Sequence, residues 1–255
     1  MDILDSFRLD GKVALVTGAG QGLGQGMALA LAEAGADVAG LDRGSSQETG
    51  KSIRALGRKY HELVCDLRTA TVAGLNDLVG KVAAEMGSLD ILVNNAGIIR
   101  RAPALDFSET DWDDVLAINL KAVFFLSQAV ARVMVPQGGG KIINIASMLS
   151  FQGGIIIPSY TASKSGVAGI TRALANEWAK HHINVNAIAP GYMATENTAA
   201  LRSDPDRAPA ILQRIPAGRW GEPVDLKGAV VFLASSASDY IHGAILPVDG
   251  GWLTR

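Results

Sequence analysis

The chain has 255 residues, 48% of them hydrophobic and 19% charged, with a net charge of -2 at pH 7. That composition supplies a sizeable core, excludes a disordered chain, and lacks the basic excess of a nucleic-acid binder. The single cysteine, Cys65, excludes an intrachain disulfide and fits a reducing compartment, and with neither a signal-peptide pattern at Met1–Asp5 nor an apolar run near the ~18 residues of a membrane span, a soluble cytoplasmic protein is expected.

The first β-type run, Val13–Thr17, enters Gly18-Ala19-Gly20-Gln21-Gly22-Leu23-Gly24, and a helical pattern follows over Gly24–Ala34. N–H groups at such a helix start, with the helix dipole behind them, favour an anion. Glycine lets a pyrophosphate come close to the backbone. Gly18, Gln21, Gly22, Leu23 and Gly24 are therefore candidate dinucleotide contacts, although the Gly-x-x-x-Gly-x-Gly spacing differs from the commonest fingerprint. The second run, Asp37–Leu41, ends at Asp42, 18 residues after Gly24. An acid there accepts ribose hydroxyls and repels a 2′-phosphate, so NAD is expected over NADP. The adjacent Arg43 pulls the other way, because a guanidinium can bind that phosphate.

The third run, Glu62–Cys65, leads to Asp66 and Leu67; Asp66 could bond an adenine amine. A helical pattern over Val72–Met86 precedes the run Ile91–Asn94 and the turn Asn94-Asn95-Ala96-Gly97. Strand ends line the ligand crevice of open parallel sheets, so Asp66, Leu67, Asn94, Ala96 and Gly97 join the candidate cofactor contacts. Glu109–Met134 reads as one long helix with Asn119 in its interior, an unfavourable place for asparagine. The run Lys141–Ala146 ends at Ser147, whose hydroxyl could hold an oxygen on which charge develops. A helix over Ser159–His181 carries Tyr160 and Lys164 four residues apart, on one face. An ammonium beside a phenol favours the phenolate and lowers its pKa, which suits it to proton transfer.

The sixth run, Asn184–Ile188, leads to Pro190, Gly191, Met193 and Thr195, which join the candidate cofactor contacts. The stretch 192–221, with Pro205, Pro209 and Pro216, reads as irregular and long enough to be a lid over a substrate. A helix over Pro223–Ser235 and the run Ala244–Val248 complete the order. The runs lack apolar/polar alternation, which marks strands covered on both faces, and they alternate with helices. The expected fold is α/β: a single-domain, Rossmann-like three-layer αβα architecture over residues 1–255, with a parallel, roughly seven-stranded, doubly wound sheet. His61, His181, His182 and His242 are dispersed, so no catalytic metal is expected.

Taken together, Thr17-Gly18-x-x-x-Gly22-x-Gly24, Asn94-Asn95-Ala96-Gly97, Asn119, Ser147, Tyr160-x-x-x-Lys164 and Pro190-Gly191 resemble the short-chain dehydrogenase/reductases along the whole chain. Further segments are similar to one branch of that family, the sugar-acid dehydrogenases of 2-dehydro-3-deoxy-D-gluconate 5-dehydrogenase type. They are Ile145–Gly154, Asn176–His181, Ala189–Thr195 and Arg214–Gly221. The resemblance implies Asn119, Ser147, Tyr160 and Lys164 as the catalytic set, with Tyr160 as acid/base and Ser147 on the substrate oxygen. Lys164 would hold the nicotinamide ribose, Asn119 a proton path, and Thr195 the carboxamide. It also implies a homotetramer, to which Ala122–Leu126 could contribute, and a sugar acid whose carboxylate needs a cation. Arg100 or Arg101 could supply it, with Arg101 preferred, and Gln152 and Met193 are weaker candidates for the pocket wall. Two other readings stay open: a reductase of the same fold for another ketone, such as a 3-oxoacyl thioester, and a non-catalytic dinucleotide sensor.

Overall fold

The computed structural model describes residues 2–255. Seven strands form one all-parallel sheet in the order β3-β2-β1-β4-β5-β6-β7. They are β1 Val13–Thr17, β2 Asp37–Asp42, β3 Tyr60–Val64, β4 Ile91–Asn94, β5 Gly140–Ile145, β6 Ile183–Pro190 and β7 Ile245–Val248. The helices are α1 Gly22–Glu33, α2 Gln47–Ala55, α3 Val72–Met86, α4 Glu109–Leu116, α5 Ala122–Gln137, α6 Pro158–Trp178, α7 Ala199–Arg202, α8 Arg207–Arg214 and α9 Lys227–Ala234.

Both faces of the sheet are covered, as the unalternating strands require. Along β1, Ala14 and Val16 pack with Met27 and Leu31 of α1 and Val230 and Leu233 of α9. Val13 and Leu15 point the other way, to Leu75 and Val79 of α3, Leu126 and Met134 of α5 and Leu174 of α6. Successive side chains on opposite faces thus feed two cores from one five-residue strand.

Several elements depart from the sequence expectation. Residues 109–137 are not one regular helix: a π turn at Ala117–Lys121 separates α4 from α5, and the Ala122 N–H bonds back to Ala117 O. By length and composition an 18-residue window within residues 109–137, with a mean hydropathy of 1.5, would suffice to cross a membrane, contrary to the sequence reading. Half of that apolar window is buried inside the fold, where it is the core. Ala122, Val123 and Leu126 are buried within the chain, leaving Phe124 and Phe125 as the partly exposed members of the segment expected at a subunit contact.

The sequence reading missed α2, because only Thr49, Gly50 and Ile53 of its nine residues are buried and no apolar stripe marks it. β3 begins two residues earlier than expected. Its buried Tyr60 reaches under α2, where its hydroxyl bonds Ser46 Oγ at 2.6 Å. Gly40 makes room: a Cβ there would stand 1.9 Å from that hydroxyl. The stretch 192–221 is not irregular throughout, since α7 and α8 lie inside it.

Candidate active site

The carboxyl ends of β1–β6 converge on one cleft of about 520 Å³. Its dinucleotide arm is built at the end of β1. Gly18 turns with φ +68°, and a Cβ on Gly24 would stand 2.0 Å from Gly18 O, so a side chain there has no room. Gln21 precedes the helix without a side-chain cap, which leaves the first-turn N–H groups of α1 for an incoming anion. Gly18, Gln21, Gly22, Leu23 and Gly24 all line the cleft. Thr17 ties β1 to β4: its hydroxyl accepts from the Asn95 and Ala96 N–H groups, both at 2.9 Å.

Asp42 ends β2 on the cleft wall. One carboxylate oxygen accepts from Gly20 N–H at 2.9 Å, the other from Arg43 N–H at 2.7 Å. The Arg43 side chain lines the same wall. Glu62 accepts from Ser46 N–H at 2.6 Å and from Ser45 Oγ at 2.9 Å, fixing the loop after Asp42. Those bonds hold its carboxyl below the usual range. Asp66, Leu67, Ala96, Gly97 and Thr195 are also on the cleft wall. These residues fit a nicotinamide dinucleotide: a glycine cradle that a Cβ would fill, an uncapped helix start, and an acid at ribose distance along β2.

Four expected cofactor contacts lie elsewhere. Asn94 is buried and its amide is committed to Ser127 Oγ and Asn144 Oδ1, both at 2.9 Å. Met193 is buried in the core under α1 and α9. Pro190 is buried at the end of β6, and Gly191 packs on Asp249, which a Cβ would meet at 2.7 Å. None of the four borders the cleft. The wall does include residues the sequence reading passed over: Arg68, Asp114, Ile118, Glu196 and Asn197.

At the opposite end stand Ser147, Tyr160 and Lys164. Ser147 follows β5; its hydroxyl accepts from Leu149 N–H at 3.2 Å and lies near enough to the Tyr160 phenol to favour its ionised form. Lys164 is buried on α6 and donates to Ile145 O at 2.5 Å. Asn119 sits in the π turn with no exposed surface. Its amide exchanges two 2.9 Å bonds with the peptide groups of Ile98 and reaches Ser163 Oγ at 3.2 Å. The bulge thus gives an interior asparagine backbone partners outside its own helix. Gly97 fits closely beside it, since a Cβ there would stand 3.2 Å from Asn119 Oδ1.

The electrostatics differ from the sequence expectation. Burial pushes the Tyr160 phenol up; the Ser147 hydroxyl and the Arg101 charge oppose that shift. Lys164 does not act as the lowering partner in this arrangement. Its ammonium lies 5.7 Å from the Tyr160 ring centre and is turned to Ile145 O. Burial without a facing carboxylate brings its own pKa down to about 8. Cys65 is half-buried on the cleft wall, and burial pushes its thiol up.

Of the two arginines after the Asn-Asn-Ala-Gly turn, Arg100 is engaged by Asp111 at 2.9 Å and Asp114 at 3.7 Å. Among the described residues, Arg101 has only a 3.5 Å contact with Asn197 O, and its charge is felt at Tyr160. Gln152 lies beyond Tyr160, 3.5 Å from Arg214.

The model of the short chain dehydrogenase family matches residues 12–206. A 2-dehydro-3-deoxy-D-gluconate 5-dehydrogenase of Dickeya dadantii (strain 3937) is 63% identical over 254 residues, which are 99% of this chain and 100% of that protein. A candidate 2-deoxy-D-gluconate 3-dehydrogenase of Agrobacterium tumefaciens, solved with bound NADP, is 55% identical with a TM-score of 0.88, over 98% of this chain and 99% of that one. A gluconate 5-dehydrogenase of Burkholderia cenocepacia J2315, solved with NADP and tartrate, is 42% identical with a TM-score of 0.94, over 99% of both chains. A glycine-loop cleft with a serine, tyrosine and lysine at its far end, on a chain matched along its length by these enzymes, places this protein among the short-chain dehydrogenases.

Proposed function

We propose that the protein interconverts a secondary alcohol and a ketone on an open-chain sugar acid, in the manner of the 2-dehydro-3-deoxy-D-gluconate 5-dehydrogenases. The observation that carries this reading is the convergence of Ser147, Tyr160 and Lys164 at one end of the dinucleotide cleft. The 63% full-length identity to a sugar-acid dehydrogenase supports the substrate class.

A bound nicotinamide supplies or accepts the hydride. In reduction the Tyr160 hydroxyl donates its proton to the oxygen of the substrate ketone as that oxygen becomes an alkoxide. In oxidation the phenolate removes the proton of the alcohol. The Ser147 hydroxyl holds the same oxygen where charge builds. The charged Lys164 favours the phenolate at the moment it forms, and Asn119 fixes the Ile98 peptide beside this machinery. Pro190, Gly191 and Asn94 shape the site from behind the wall.

Asp42 supports NAD as the preferred dinucleotide, because an acid on the cleft wall at the end of β2 can accept ribose hydroxyls and repels a 2′-phosphate. Arg43 on the same wall, and relatives solved with NADP, make the ratio of the two cofactors the quantity to measure. A homotetramer is the assembly we infer, with Phe124 and Phe125 at a contact; light scattering that returns a monomer refutes it. The test of function is NADH formation or consumption across hydroxy and keto sugar acids, repeated with the phosphorylated cofactor. Turnover is expected with at least one sugar acid, faster with NAD, and lost by about 100-fold or more in Tyr160→Phe. A phenylalanine variant with full turnover, or a wild type active only on uncharged ketones, overturns the reading.

A further inference from the structure

Three arginines lie near the phenols of Tyr160 and Tyr192. Arg101 acts on the Tyr160 phenol, and Arg207 and Arg214 act on the Tyr192 phenol. Among the described residues none of the three has a carboxylate partner. By contrast, Arg100 is paired with Asp111 and Asp114, Arg68 with Asp66 and Asp114, and Arg219 with Asp225. Positive charge outside any ion pair is therefore gathered on the Tyr160–Tyr192 side, with the Asp204 carboxylate near Arg207.

Arg214 is the one of these three that is held in place. Its guanidinium carbon lies over the Trp252 indole, 3.9 Å from the ring centre. It contacts Gln152 Oε1 at 3.5 Å. The backbone behind it is fixed as well, since the Arg255 guanidinium donates to Gln213 O and Arg214 O at 2.8–3.2 Å. Trp252 is buried and packs edge-on against Tyr192, with ring centres 4.8 Å apart. A guanidinium stacked by its face keeps its N–H edge free, and that edge matches a carboxylate in two-pronged fashion.

Location adds the second part of the case. Tyr160 belongs both to the wall of the dinucleotide cleft and to the apolar cluster of Met148, Trp252, Tyr192 and Trp220. It is the junction between the two regions. A substrate whose oxidised carbon meets Tyr160 extends away from the nicotinamide, toward that cluster. In a sugar acid oxidised at carbon 5 the carboxylate lies four C–C bonds away, about 5 Å when extended. Arg101 stays at the reacting end, beside the phenol.

We propose that Arg214, stacked on Trp252 and steadied by Gln152, is the carboxylate anchor that selects sugar acids over neutral sugars. This deepens the function proposed above and rests on it. Gln152, expected on the pocket wall, then acts through Arg214 as a positioning residue.

The test compares wild type, Arg214→Gln and Arg214→Lys on a 5-keto sugar acid and on the neutral amide of the same sugar. Loss of a charged, two-pronged contact should raise the KM for the acid in Arg214→Gln by about 10- to 100-fold. The kcat should stay within about threefold, and the KM for the dinucleotide should be unchanged. Arg214→Lys should fall between, and the amide should be turned over equally well by all three proteins. An unchanged KM for the acid in both variants, or an equal loss on acid and amide, overturns the anchor while leaving the proposed function standing. A wild type that turns over the amide as well as the acid overturns the anchor too, and one inactive on every sugar acid overturns both.

Discussion

At the scale of single residues, Lys164 carries the largest electrostatic cost in the site. Its ammonium is buried, answered only by Ile145 O, and titrates near 8. In the unfolded chain a lysine titrates near 10.4. Between those values the unfolded chain binds more protons than the folded one, so stability rises with pH across that window. Below about pH 8 both states hold the proton and the full cost of burying it is present. Above about 10.5 both have lost it and the cost is gone. A difference of this size corresponds to on the order of 3 kcal/mol. Lys164→Met removes the titration while keeping most of the volume. The stability advantage of the methionine variant, measured by denaturant unfolding, should therefore be greatest near pH 7 and shrink as pH approaches 10.5. A difference that stays flat across this range would mean that Lys164 has an ordinary pKa. The proposed function gives the cost a use: an ammonium with no facing carboxylate is free to stabilise a phenolate when one forms.

At the scale of elements, the glycines of the β1–α1 turn and of the helices have different reasons to be glycine, which substitution separates. A Cβ on Gly24 meets Gly18 O at 2.0 Å and Asn95 Nδ2 at 2.5 Å; the first of these is backbone and cannot yield without opening the turn. Gly24→Ala should weaken dinucleotide binding by more than about tenfold and lower the unfolding midpoint. Gly80, in the exposed middle of α3, meets nothing within 4 Å. Gly80→Ala should stabilise by about 0.5–1 kcal/mol with binding unchanged. Equal effects at the two sites, in thermal melts and fluorescence titration of NADH, would remove the steric account of the loop.

The same contrast explains what was legible from residues alone. β1 and β4 were found to the residue, because a short apolar run bounded by glycine or asparagine has one reading. The β1–α1 turn was legible because its chemistry is local. The π turn was not, since its cause is the bonding of Asn119 to Ile98 in a separate loop. Asn94 was misplaced for a related reason. A strand end normally faces the crevice, but the Ser127 and Asn144 side chains that claim its amide come from distant parts of the chain. Arg214 was read only as part of the segment Arg214–Gly221 and not as a site charge, because its stacking partner, Trp252, is 38 residues away.

At the scale of the whole molecule, the parallel sheet puts every strand end on one edge and so divides the labour along it. β1, β2 and β3 carry the dinucleotide arm, β4 and β5 lead to the chemistry, and β6 leads to the segment 192–221. That segment is built as a strap with a closed base. Met193 and Gly221 form an isolated bridge, Ala194 N–H donates to Gly221 O at 2.7 Å, and Gly221 N–H donates to Tyr192 O at 2.9 Å. Its two ends therefore cannot part, and α7 and α8 must move as one body if they move. Inward, Ile211 and Ile215 pack with Trp252; across the cleft, the 3.5 Å contact of Arg101 with Asn197 O is a weak tie. We propose that this strap, hinged at its closed base and tied across the cleft by a long contact, closes as a lid over the substrate. Hydrogen exchange should show the amides of 199–214 opening readily in the free enzyme. With dinucleotide and a sugar acid both bound, they should be protected by about tenfold or more, while the amides of β1 and α6 stay unchanged. Protection by dinucleotide alone would assign the strap to the cofactor, through Thr195 and Glu196 on its wall. Protection by neither would leave it a fixed part of the pocket.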